Sequence, residues 1–82
     1  MADNSIHLAG NLTRDPETRA TQTGKLSTTY TIAVSRKWDG GSETSFFDCV
    51  QWGEGGTNFA QSCKKGDRVM VFGRLVQRSW DD

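Results

Sequence analysis

Apolar and polar side chains alternate with a period of two along several stretches of the chain, the spacing of strands that are half-buried against a core. From Ser5 to Thr13, the residues Ile6, Leu8, Gly10 and Leu12 fall on one side and His7, Ala9 and Asn11 on the other. Asp15-Pro16 then breaks the ladder, because proline has no N–H to donate and aspartate favours turns. After a second turn at Thr23-Gly24 the alternation resumes from Leu26 to Ser35, with Tyr30, Ile32 and Val34 on one face among β-favouring threonines. A loop from Trp38 to Ser45, rich in Gly and Ser, joins this long strand to a third as a hairpin with Trp38 on its arm. In the third strand Phe46, Asp48, Val50 and Trp52 share one face, opposite Phe47, Cys49 and Gln51. Aromatics on both faces mean that one face serves something other than the core.

Gly53 to Gly56 interrupts the strands, and Thr57 to Lys65 reads as a short helix. Thr57 or Gly56 caps it, Phe59 and Cys63 fall on its inner side at i and i+4, and Lys64-Lys65-Gly66 ends it. From Arg68 the period of two returns, with Val69, Val71, Gly73 and Leu75 inward and Met70, Phe72, Arg74, Val76, Arg78 and Trp80 outward. Strand, long strand, strand, short helix, strand predicts an all-β fold with one short helix. It is the order of an OB-fold, a five-stranded Greek-key barrel, with its last strand missing from this chain. At 82 residues the chain is expected to form one domain, residues 1–82.

Ten basic and ten acidic side chains cancel, which argues against a protein that grips duplex DNA through global positive charge. There is no long apolar run, and the start has no basic segment followed by an apolar one, so neither a membrane span nor a secretory signal is inferred and a cytoplasmic location is expected. Cys49 and Cys63 lack metal-ligand spacing and are read as reduced, half-buried small apolar residues; no metal and no cofactor are expected. His7, Cys49 and the carboxylates come without a nucleophile motif or an orienting third group, so no catalytic residue is assigned. Asp15 and Glu17 are accounted for by the turn rather than by two-metal chemistry.

The chemistry that remains is that of flat rings beside charges. Trp38 follows Arg36 and Lys37, Trp80 stands two residues after Arg78, and Phe46 and Trp52 flank the third strand. An unpaired nucleic-acid strand exposes base faces and phosphates, and a sequence-tolerant binder meets the first with aromatics and the second with Lys or Arg. Stacking is worth about 1–3 kcal/mol per base, so three or four rings carry much of the affinity even at zero net charge. Arg36, Lys37, Lys65, Arg74 and Arg78 are the candidates for phosphate contacts. DNA and RNA are not separated at this level, because discrimination rests on 2′-hydroxyl contacts. An adaptor of the primosome type or an RNA-binding module is the alternative reading.

A family resemblance runs through the same residues. Leu8-Ala9-Gly10-Asn11-Leu12-Thr13-Arg14-Asp15-Pro16-Glu17-Thr18-Arg19 resembles the G-N-L-x-x-D-P-E-x-R opening of bacterial-type single-stranded DNA-binding proteins. Tyr30-Thr31-Ile32-Ala33, Trp38, Phe46 to Trp52, Asn58-Phe59-Ala60, Lys65-Gly66 and Val69-x-Val71-x-Gly73-Arg74-Leu75 continue the match in order. The resemblance implies a non-enzymatic homotetramer, nucleoid-associated, that coats single-stranded DNA in replication, repair and recombination. It places base-stacking aromatics at Trp38, Phe46, Trp52 and Trp80, and Lys65 and Arg78 match the family's basic positions best. Asp48 and Glu54 depart from it, since they stand where many relatives carry bases, and a weaker binder with a shallower salt slope is one expectation. The family continues past the Trp80 position with a closing strand, a linker and an acidic tail that recruits replication and repair proteins. This chain stops at Asp81-Asp82, so a shortened chain is expected, and such partners only if the full gene product carries the tail.

Overall fold

The computed structural model describes residues 3–77. Five strands and a helix follow in the order β1 (Ile6–Leu12), β2 (Glu17–Ala20), β3 (Leu26–Trp38), β4 (Gly41–Trp52), α1 (Glu54–Ser62) and β5 (Arg68–Gly73). All strand pairings are antiparallel. β3 is the hub: β2 and the end of β1 share one of its edges, β4 takes the other, and β5 lies beyond β1. The architecture is the OB type expected from the pattern. The fifth strand seen here is not the closing one but β2, which pairs with Leu26 to Thr29 beyond the Asp-Pro interruption. Its four residues, Glu-Thr-Arg-Ala, carry no apolar alternation and gave no strand signal.

The core is small, as a short chain requires. Leu12, Tyr30 and Ile32 are its buried apolar side chains, and the Phe59 ring of α1 meets the Tyr30 ring with centroids 4.7 Å apart. Buried Thr28 is satisfied by a 2.8 Å hydrogen bond between its hydroxyl and that of Thr18 on β2. β1 crosses β3 closely at Gly10, where a Cβ would lie 2.3 Å from the Ala33 carbonyl oxygen. The residues around this crossing form a clasp. Asn11 Nδ2 donates to the Gly66 carbonyl at 3.0 Å, the Gly66 amide to the Leu12 carbonyl at 2.8 Å, and the Lys65 amide to Asp15 Oδ1 at 2.7 Å. The opening motif of the chain is thereby explained as structure.

The helix begins and ends three residues earlier than the sequence indicates, at Glu54 and Ser62 rather than Thr57 and Lys65. Gly53, with φ of 88°, turns the chain out of β4 and precedes the helix without any side-chain cap. Gly56 fixes the start, because its bare α-carbon fits against Thr28; a Cβ there would sit 2.6 Å from the Thr28 hydroxyl. Cys63 closes the helix with its amide on the Phe59 carbonyl, and Lys64 and Lys65 lie past it in a turn held by Asp67. Both cysteines are free thiols and half-buried.

On β5, Val69 and Val71 turn inward while Met70 and Phe72 are exposed, as the alternation predicts. Leu75, expected inward, is exposed, because the pairing with β1 ends at Gly73. There the backbone leaves the sheet and is tied to Asn4, which accepts from the Leu75 amide at 2.8 Å and donates to its carbonyl at 3.2 Å. Among the described residues, the free edges of β4 and β5 carry no partner strand. A cleft of about 1250 Å³ lies between them, floored by Tyr30, Phe47, Cys49 and Phe59.

Candidate nucleic-acid interface

β3 and β4 pair without a break from Ser27↔Trp52 to Trp38↔Gly41, and only Asp39 and Gly40 form the turn, with Gly40 at φ of 93°. The expected loop from Trp38 to Ser45 is therefore mostly strand. Cross-strand polar pairs replace the missing apolar signal: the Ser35 and Thr44 hydroxyls lie 3.0 Å apart, and Arg36 Nη2 meets Glu43 Oε1 at 3.2 Å. From Ser35 to Phe46 every residue is exposed, so this part of the hairpin stands clear of the core as an arm.

The register sorts the candidate residues into two sets. Directly paired residues share a face, so Phe46, Asp48, Val50 and Trp52 stand over Ala33, Thr31, Thr29 and Ser27. Lys37 belongs to the same face. The partner row is made of small residues, Ala, Thr and Ser, and it leaves the rings uncovered: Phe46 is 66% and Trp52 61% exposed. Arg36 and Trp38 belong to the other face, the one that holds Tyr30 and Ile32 nearer the core and becomes exposed on the arm. A ligand touching Trp38 as well as Phe46 must therefore pass around the ribbon rather than along one plane.

Trp38 is 50% exposed yet held in place. Its ring lies across the bare backbone of Gly41, where a Cβ would come within 3.1 Å of it, and the Arg36 guanidinium carbon sits 5.3 Å from its centroid. Arg36 thus already has a carboxylate and a ring for company. Asp48 is fixed too, its Oδ1 accepting a 2.7 Å hydrogen bond from the Thr31 hydroxyl. Beneath this surface, burial first and the neighbouring Cys49 second push the Tyr30 hydroxyl up to about 12. Burial, followed by the charge of Asp48, raises the Cys49 thiol.

The other candidates stand off the ribbon. Arg74 lies just past β5 on the wall of the cleft that Asp48 and Trp52 also line. Lys65 is exposed in the turn after α1, with its amide given to Asp15. Arg78 and Trp80 lie outside the described residues. One cation was missed by sequence reasoning. Lys25, in the turn between β2 and β3, joins Leu26, Trp52, Gly53 and Glu54 around an open hollow of about 670 Å³ at the base of the hairpin. The signal was present, since Lys25 follows the turn glycine and immediately precedes the strand that pairs with Trp52, but it needed the register to be read.

The family model described as the single-strand binding protein family matches residues 3–82. The chain is 40% identical over 82 residues to the single-stranded DNA-binding protein of Lactiplantibacillus plantarum, covering 96% of this chain and 41% of that protein. The corresponding protein of Mycolicibacterium smegmatis is 40% identical over 96% of this chain and 52% of its own length. Single-stranded DNA-binding protein A of Bacillus subtilis is 39% identical over 96% and 48% respectively. The chain spans about half the length of these relatives. With the opening clasp, the OB topology and the exposed rings in one ordered set, and with a match across nearly its full length, the chain belongs to the single-strand binding protein family.

Proposed function

We propose that this protein binds single-stranded DNA without sequence-specific recognition of a site, by stacking bases on Trp38, Phe46 and Trp52 and holding phosphates with nearby cations. The observation that carries the reading is the set of three large rings kept half or more exposed, two over a row of small residues and one braced on a glycine at the arm tip. A core would have covered them. Lys37 on the Phe46 face, Lys25 beside Trp52, and Arg36, Lys65 and Arg74 around them are the described cations within this reading; Arg78 and Trp80 extend it on the strength of the family pattern. The role is binding and protection during replication, repair and recombination in the cytoplasm, at the nucleoid, with no reaction catalysed. Self-association into a homotetramer is part of the same reading, and the outer face of β1 and β5, where Met70 is 62% and Phe72 73% exposed, is the apolar area it would bury.

Titration of the intrinsic tryptophan fluorescence with dT oligomers, rU oligomers and duplex DNA tests this. Quenching by dT, weaker response to rU and none to duplex is expected. Trp52→Ala and Trp38→Ala each weaken dT binding by about 1–3 kcal/mol while circular dichroism and melting stay near wild type. A response to none of the three ligands leaves an adaptor role ahead, and stronger quenching by rU moves the substrate to RNA.

A further inference from the structure

We infer that Asp48 makes this interface discriminate between bases, favouring cytosine over thymine at the position next to Phe46. The inference rests on the proposed single-strand reading and adds to it a base preference. Asp48 is exposed and stands one pleat from Phe46 on the face that also carries Trp52, so a base stacked on Phe46 would have room to turn an edge toward it. Its carboxylate is not free to swing away, because Oδ1 is anchored at 2.7 Å by the Thr31 hydroxyl directly across the ladder. That leaves Oδ2 as an aimed acceptor.

An ionised carboxylate only accepts hydrogen bonds. Cytosine offers it the exocyclic N4 amino group, the partner that Asp and Glu take in base recognition. Thymine offers at the same edge the O4 carbonyl, and its one donor, N3–H, lies between two carbonyl oxygens that a carboxylate repels. The same charge also disfavours the phosphates of any strand, so Asp48 lowers affinity in general and lowers it least where an amino group meets it. Stacking rings alone are indifferent to sequence, because every base has a π-face. A fixed carboxylate among them is not. Thr31 is a positioning residue here, acting through Asp48.

The test is fluorescence titration of the whole 82-residue chain with dC and dT oligomers of equal length, at one fixed salt concentration. About fivefold tighter binding of dC is expected, the low end of what one base contact discriminates. In Asp48→Asn the amide both donates and accepts, so dT binding strengthens and the ratio falls to about one. Thr31→Val keeps a β-branched residue in the strand but releases the carboxylate, and the ratio narrows without the general gain in affinity. Equal binding of dC and dT by the wild type overturns the inference and leaves single-strand binding intact, as does a dC preference that survives Asp48→Asn. Absence of quenching by either oligomer removes the proposed function and the inference with it.

Discussion

At the scale of single residues, the same side-chain types serve opposite ends according to what faces them. Tyr30 and Trp38 lie on one face of β3, eight positions apart, yet Tyr30 is buried under Phe59 and Trp38 is half exposed. Burial has a consequence for pH. An unfolded tyrosine ionises near 10, whereas Tyr30 in the fold is pushed up to about 12. Between those values the unfolded chain binds fewer protons than the folded one, so stability falls as pH rises through that window and is unaffected by this group below it. The raised Cys49 thiol acts in the same direction, starting from its own lower ordinary value. Tyr30→Phe is expected to flatten the loss of melting temperature between about pH 9.5 and 11.5, as followed by circular dichroism. An unchanged alkaline slope would show that Tyr30 ionises as freely in the fold as in the unfolded chain.

The arm shows how an element stays ordered with almost no core. Its pairing rests on the β-ladder, the Ser35–Thr44 hydroxyl pair, the Arg36–Glu43 ion pair and the Trp38 ring laid over Gly41. The ion pair is exposed and contributes about 0–1 kcal/mol, so its interest lies in binding rather than stability. Glu43→Gln releases Arg36 and removes one repulsive charge. The expected outcome is a melting temperature near wild type and, in DNA titrations across salt concentrations, a log–log slope steeper by up to about 0.7, the contribution of one phosphate contact on a single strand. An unaltered slope would mean that Arg36 remains committed to Trp38 and never reaches the backbone. The arm and β2 were also where the chain was hardest to read. β1 and the first part of β3 were legible because one face is buried, which forces alternation on Ile6, Leu8, Leu12, Tyr30 and Ile32. The arm is exposed on both faces, and β2 turns inward only Thr18, a polar residue, so no apolar alternation is imposed on either. For α1, Glu54-Gly55-Gly56 reads as a loop by propensity, yet it is helix, with Gly56 packed so closely on Thr28 that a side chain there would clash.

Taken whole, the molecule is drawn out rather than round. Its radius of gyration is 14.7 Å and its extents 50 × 35 × 28 Å, against about 12 Å for the radius of a compact chain of this length. A 13-residue β3 at roughly 3.3 Å per residue is over 40 Å long by itself, and it sets the long dimension. A small core feeding a long ribbon leaves much surface exposed on the single chain, and the proposed self-association would bury part of it. Phe72, tilted against His7 with ring centroids 5.8 Å apart, marks one such place. Phe72→Ser is expected to shift sedimentation toward the single-chain mass while leaving quenching by a short dT oligomer in place. Loss of both together would tie assembly and binding to one surface. The exposure of Trp38, Phe46 and Trp52 was legible from the chain, since aromatics at strand spacing beside cations form a local pattern. How they divide between two faces was not, because that depends on where the register falls and on a two-residue turn in place of a longer loop.

The close passage of β1 over β3 at Gly10 has an effect on the ribbon far from it. That crossing holds the hairpin at Ala33, and the Asn11, Asp15 and Gly66 clasp secures β1 in turn, whereas from Ser35 to Phe46 every residue is exposed. A finger set on so firm a knuckle carries its tip well clear of the grip below. Under the proposed function such a fixture suits a limp thread whose course is not settled in advance, with Trp52 offered to it close to the body and Trp38 out on the arm.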